Sequence, residues 1–252
     1  MPPREAPARA GAMRLQVRGL TVRFGGLAAL TDVDLDVADG QVVGLIGPNG
    51  AGKTTVFNAV SGLVRTAAGT ITVAGRPAPR APSGLARAGV ARTLQGLGLF
   101  PGLSVRENVE VGALAAPDPG APDPAARTLR ALDDLGIADR AALPVGALPY
   151  PEQKKVALAR ALVADPRLLL LDEPAGGLGA ADIAELDAVV RRVAATGCAV
   201  LLVEHHVDFV MGLCDRVVVL DFGRVIADGL PDDVRRDPAV TAAYLGIEVT
   251  AP

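Results

Sequence analysis

The spacing of apolar positions changes several times along the chain, and each change marks an element. Arg14–Phe24 and Val33–Val37 place apolar residues on one side of an extended chain, the period-two pattern of half-buried strands. Val42–Ile46 is a continuous apolar run ending against Gly47, as expected of a strand buried on both faces. A helix is predicted from Lys53 to about Gly62, and a further strand at Thr70–Ala74. A second series runs from a strand at Leu168–Leu171, through a helix at Ala181–Ala195, to a strand at Ala199–Val203. A helix at Val207–Leu213 follows, then a hairpin of Arg216–Leu220 with Arg224–Ala227 that turns at Asp221-Phe222-Gly223. Strands that alternate with helices predict an α/β fold with a mostly parallel sheet at its core and an antiparallel β portion near the N-terminus.

The middle of the chain breaks this alternation. Ser104–Ala115, Ala125–Leu135 and Glu152–Val163 read as helices with no strand among them. Ala116–Pro124 (APDPGAPDP) predicts an exposed, mobile loop. A helical subdomain, residues 93–165, is therefore expected to interrupt a core made of 13–92 and 166–247. The first twelve residues predict a disordered tail, with Met13 as an alternative start, and 248–252 a short tail. No internal repeat is evident.

Composition narrows the function. Of 252 residues half are hydrophobic, enough for one sizeable core, yet only 3% are aromatic and none is Trp. The core must then be built from Ala, Val and Leu. A formal charge of −3 argues against a general nucleic-acid binder. The 22 Arg against three Lys, beside abundant Ala, resemble the bias of a GC-rich genome and not a basic patch. Cys198 and Cys214 cannot form a disulfide framework, so a reducing compartment is expected. No apolar run reaches the roughly 18–20 residues of a membrane span, and the N-terminus lacks a signal-peptide core.

Candidate chemistry concentrates at strand ends. Gly47-Pro48-Asn49-Gly50-Ala51-Gly52-Lys53-Thr54-Thr55 matches G-x-x-x-x-G-K-[ST] between a buried strand and a helix. Glycines let successive N–H groups curl around phosphate oxygens, and the helix start adds its positive dipole end. Lys53 would supply a point charge to the β- and γ-phosphates of ATP, and the Thr54 hydroxyl would ligate Mg²⁺. Leu168–Leu171 then delivers Asp172 toward the metal and Glu173 toward the attacking water. His205 and His206 follow the strand Ala199–Val203; neighbours at a strand end point apart, which disfavours a zinc pair. One of them near the γ-phosphate fits better, the other facing solvent.

The succession of phosphate loop, Gln95, the Leu148–Gln153 stretch, LLLLDEP and a strand-end His resembles the ATP-binding subunit of an ABC transporter, from about Met13 to Gly246. That resemblance implies that Phe24 stacks on adenine; a plain core aromatic is the alternative. It implies that Gln95 reaches the metal and water and couples to the membrane partner, that Glu173 is the catalytic glutamate and that His205 is the switch histidine. FGGLAAL, ARTLQGLGLF, DEPAGGL, VEHHVDFVMGLCDRVVVL and AAYLG are similar to the branched-chain amino-acid subfamily, whose close relatives serve urea or amides. Membership there implies two transmembrane permease subunits, a second and different ATPase subunit, a substrate-binding protein acting indirectly, and a place on the cytoplasmic face of the membrane.

Two departures stand out. The signature expected to begin Leu-Ser-Gly-Gly-Gln or Leu-Ser-Tyr-Gly-Gln reads Leu148-Pro149-Tyr150-Pro151-Glu152-Gln153. Pro149 lacks the serine hydroxyl, and Pro151 lacks the N–H that would face a γ-phosphate, although Pro151 suits the first turn of a helix. Gly179 stands where most relatives have Asp. A catalytically weak ATP-binding scaffold and a DNA-repair ATPase of the same superfamily are the competing readings. The segment Gly96–Asn108, with Leu97, Leu99, Phe100 and Leu103, suits a groove for a permease helix; internal packing is the equal alternative.

Overall fold

The structure is a computed structural model and describes residues 12–115 and 123–245. The expected tails, apart from residue 12, and most of the Ala116–Pro124 loop lie outside the described residues.

The chain opens with β1 (Met13–Phe24) and β2 (Leu27–Ala38), then β3 (Val42–Ile46), α1 (Lys53–Val60), β4 (Ala68–Val73), β5 (Arg76–Pro77) and β6 (Val90–Arg92). Three helices follow: α2 (Val105–Ala115), α3 (Pro124–Asp134) and α4 (Tyr150–Leu162). The chain then returns to the sheet with β7 (Leu168–Asp172), α5 (Ala180–Ala195), β8 (Ala199–Val203), α6 (Val207–Leu213), β9 (Arg216–Asp221) and β10 (Arg224–Gly229), and ends in α7 (Pro231–Arg235) and α8 (Pro238–Leu245).

Two sheets form. One is antiparallel, in the order β2-β1-β4-β5; the other runs β10-β9-β3-β8-β7-β6 and is parallel except for its edge hairpin. Every residue of β3, β7 and β8 is buried, which explains their unbroken apolar runs. The pleat divides them between two cores. Leu168 and Leu170 face β1, β2 and α1, whereas Leu169 and Leu171 face the helices on the other side.

Several boundaries differ from the sequence reading. β2 begins at Leu27, well before Val33, because Leu30, Ala28 and Leu27 pair with Val22, Arg23 and Phe24. Asp32, at φ +54°, makes an irregularity that hides this stretch from a period-two reading. β4 stops at Val73, because Ala74 and Gly75 both take positive φ in the turn to β5. β5 and β6 were not predicted; at two and three residues they are too short to carry a pattern. α7 and α8 were also unanticipated, although each starts at a proline beside acidic residues, a usable N-terminal signal.

The helices between β6 and β7 are held by local devices. Ser104 and Glu107 cap α2 reciprocally: the Ser104 N–H and hydroxyl donate to Glu107 Oε2, and the Glu107 N–H donates to Ser104 Oγ. Asn108, fully buried, donates to the carbonyls of Phe100, Leu103 and Ser104 and accepts from the Phe100 N–H, which sets the loop that leads in from Gln95.

Candidate active site

The loop after β3 is shaped by backbone that only glycine tolerates. At Gly47, φ +150°, an added Cβ would stand 2.0 Å from the Leu220 carbonyl oxygen. At Gly52, φ +106°, it would stand 2.7 Å from Leu30 Cδ2 and 3.0 Å from the Ala29 oxygen. Gly50 also has positive φ, but its outer side is open, with no atom within 4 Å of a Cβ position. Between them, the Ala51 N–H donates to the Pro48 oxygen. α1 begins without any side-chain cap, so the N–H groups of its first turn stay available. Its first residue, Lys53, is buried and donates to the carbonyls of Gly47 at 2.6 Å and Pro48 at 2.9 Å. Burial lowers the Lys53 pKa, while the charge of Glu173 opposes the shift. Asn49 and Thr54 are exposed and Thr55 is half-buried. Uncapped donors, a concave backbone and a cation suit a phosphate chain.

Across the site, the three residues expected to be catalytic come together. Glu173 follows β7, its N–H donating to the Val203 oxygen of β8. Gln95 Nε2 donates to Glu173 Oε2 at 2.8 Å, and His205 Nε2 lies 2.7 Å from Glu173 Oε1. Each carboxylate oxygen thus has its own partner. Glu173 takes φ +48°, a left-handed conformation that a non-glycine residue holds only under outside constraint. A cleft of ≈ 370 Å³ opens beside Gln95 and Glu173, walled largely by Leu94, Leu97, Leu158, Leu171 and Leu186.

Asp172 is buried and pairs through Oδ2 with Arg92 Nη2 at 2.9 Å. Arg92 also donates to Asn58 Oδ1 and Ser61 Oγ at the end of α1, and so ties that helix to β7. Among the described residues only one Asp172 oxygen is engaged this way. With Thr54 Oγ1 and the Gln95 amide oxygen, the other expected ligands, it would make an all-oxygen set, which fits the hardness of Mg²⁺. The sequence reading missed Arg92; a lone arginine on a three-residue strand gives no signal. Glu204 was missed as well, a buried acid at the end of β8.

Phe24 is not a core aromatic. It is 52% exposed at the tip of the β1–β2 hairpin, and the same β2 strand packs Ala29 and Leu30 against Gly52. His206 is exposed and carries no side-chain bond among the described residues, as a solvent-facing neighbour should. In the altered signature Pro149 caps α4 and Pro151 sits in its first turn, so the prolines cost the helix little. Tyr150 lies against Gly177, where an added Cβ would meet its ring at 3.0 Å. In the Gly96–Asn108 segment the two expectations divide. Phe100, like Leu94 before it, is exposed, whereas Leu99 packs against the core.

Phosphate loop, mixed β scaffold and paired acids after a buried strand define a P-loop ATPase. The chain belongs to the ABC transporter family, whose model matches residues 30–176. A second model, the branched-chain amino acid ATP-binding cassette transporter, matches residues 224–250. The high-affinity branched-chain amino acid transport ATP-binding protein LivG of Salmonella typhimurium is 38% identical, over 92% of this chain and 97% of its own length. BraF of Pseudomonas aeruginosa, of the same description, is 38% identical with the same shares. Among solved structures, a nucleotide-free ATP-binding cassette from an ABC transporter superposes with a TM-score of 0.84 at 25% identity, over 92% of this chain and 98% of that one. A structure of the ADP conformation of an ATP-binding cassette of an ABC transporter gives 0.83 at 26%, over 93% and 99%. The protein is an ATP-binding and ATP-hydrolysing subunit of an ABC transporter. None of these likenesses favours a DNA-repair ATPase or a silent scaffold. No helix among the described residues is long and apolar enough to cross a membrane.

Proposed function

We propose that this chain powers the import of branched-chain amino acids, bound to its permease at the cytoplasmic face of the membrane. The observation that carries its catalytic half is the two-sided hold on Glu173 by Gln95 and His205. A carboxylate fixed at both oxygens is oriented before nucleotide arrives, and so loses little freedom on reaching the transition state. In this reading Glu173 takes the proton of the attacking water, His205 responds to the γ-phosphate, and Gln95 carries the state of the site toward the permease. Lys53 and backbone N–H groups of the Gly47–Thr55 loop, Pro48 having none to give, hold the phosphates, and Phe24 stacks on adenine. Thr54, Asp172 and Gln95 would hold Mg²⁺, which supplies neutralisation of the phosphate charge when bound.

The transport half is supported by the match of residues 224–250 and by relatives whose likeness spans nearly the whole chain. The solute is presented to the permeases by a binding protein and does not touch this subunit. A second ATPase subunit completes the pair, each ATP lying between one subunit's phosphate loop and the other's signature. Exposed Leu94 and Phe100, beside Gln95, offer apolar surface to a permease helix.

Two measurements on the reconstituted complex test this reading. Labelled leucine, isoleucine and valine should accumulate with ATP, and urea should not; uptake of urea or amides alone would overturn the solute assignment. Glu173→Gln should keep ATP binding and slow hydrolysis by about 10²–10⁴-fold, the usual contribution of a positioned general base. Unchanged turnover would remove Glu173 from the role.

A further inference from the structure

The peptide group joining Pro174 to Ala175 is gripped from both sides by charged side chains that the mechanism above does not use. Lys154 Nζ reaches from the early part of α4 and donates to the carbonyl oxygens of Glu173 at 3.0 Å and Pro174 at 2.8 Å. On the other side, Glu204 Oε1 accepts the Ala175 N–H at 2.6 Å. Glu204 Oε2 accepts the N–H groups of His205 at 2.8 Å and His206 at 3.2 Å. Glu204 is 1% exposed, and these three N–H donors satisfy both oxygens of its buried carboxyl group. Burial lowers the Lys154 pKa, and the charge of Glu204 is the first of the influences opposing that shift.

We propose that Lys154 and Glu204 form a positioning pair for ATP hydrolysis, one that clamps the Pro174–Ala175 peptide and thereby orients Glu173 and His205 together. The inference rests on Glu173 as the base, as proposed above. Three observations carry it. Glu173 sits at φ +48°, a strained backbone that persists only where its surroundings over-determine it. Lys154 holds the carbonyl of Glu173 itself, directly after that strained φ. Glu204 shares one carboxylate between the loop after Glu173 and the backbone of His205, the two groups that meet at Glu173 Oε1. Lys154 also lies on the helix that begins at Tyr150 and Pro151. In a paired assembly, movement of this subunit's signature at the opposite ATP would be transmitted through Lys154 to Glu173 of its own site.

The test uses the assembled transporter. Lys154→Met keeps an aliphatic stem on a half-buried position and removes both donations. It should lower kcat for ATP hydrolysis by about tenfold to a hundredfold, the scale of a misplaced catalytic group, with the KM for ATP unchanged. Lys154→Arg, which can still donate to both carbonyls, should recover most of the rate. Glu204→Gln should lower kcat similarly, and the double variant should be no slower than the slower single variant, because both act on one peptide group. Glu173→Gln is measured alongside. If it leaves turnover intact, the base assignment itself fails. If it abolishes turnover while Lys154→Met leaves kcat unchanged, raises only KM, or multiplies with Glu204→Gln, the positioning pair is overturned. The Lys154 arm decides alone where Glu204→Gln does not assemble.

Discussion

At the scale of single residues, Lys53 shows how much a buried cation is asked to do. Its ammonium is held by two loop carbonyls, which braces the loop from within. The lowered pKa from burial marks a cation short of solvent. Lys53→Ala removes a charge-assisted contact worth about 1.5–3 kcal/mol, so ATP affinity should fall roughly ten- to a hundredfold. Titration with a fluorescent ATP analogue checks this, and equal affinities would refute the phosphate contact. Lys53→Arg should not rescue, since Lys53 is buried and the bulkier guanidinium has no room there beside a phosphate, unlike at half-buried Lys154.

At the scale of elements, the approach of α2 to α4 depends on one glycine. An added Cβ at Gly112 would lie 2.1 Å from the Arg160 carbonyl oxygen, with Val163 Cγ1 at 2.9 Å. Two effects oppose each other in Gly112→Ala. Alanine is the better helix former by about 1 kcal/mol. Overpacking costs typically about 1–3 kcal/mol, and the obstacle here is backbone, which cannot rotate away. The clash should win, so chemical denaturation should show lower stability in spite of higher helix propensity. The shift would also be felt in function. Arg160 donates through both terminal nitrogens to the Leu97 and Gly98 carbonyls, which hold the loop after Gln95. A variant as stable as the parent would show that the helices part without strain.

At the scale of the whole molecule, the altered signature predicts, under the function proposed above, that two paired subunits share the work unequally. α4 forms readily from Pro149 and Pro151, so the fold bears no penalty for them. What is missing is a hydroxyl at 149 and an N–H at 151 toward the partner's nucleotide. Paired with a subunit carrying an intact Ser-Gly-Gly signature, this chain contributes one good site, built from its own Lys53, Asp172, Glu173 and His205. The second site, over the partner's phosphate loop, would hold ATP and turn it over slowly. Replacing the catalytic glutamate in each subunit separately should therefore give unequal losses. Glu173→Gln should remove most hydrolysis, and the equivalent change in the partner little. Equal losses, or vigorous turnover by this subunit alone, would contradict the asymmetry.

The sequence by itself determined the elements whose signals are local. A run of five apolar residues ending against Gly47 fits a strand buried on both faces, and it leads into a loop whose glycines and lysine match the phosphate-binding pattern. Adjacent acids after a second such run marked the expected metal and water positions, and the strand-end histidine a third candidate. The meeting of His205 and Gln95 with Glu173, at 2.7 and 2.8 Å, was decided only by the sheet order that sets β8 beside β7 and by the loop after β6. Partners distant in sequence leave no periodic trace. That is why Arg92, Lys154 and Glu204 went unread: each is an ordinary charged residue until the fold buries it against backbone or an opposite charge. The exposure of Phe24 belongs to the same class, because an aromatic at a strand end has the same sequence whether it faces core or solvent. Burial is a property of the packed molecule, and the chemistry of these side chains follows from it.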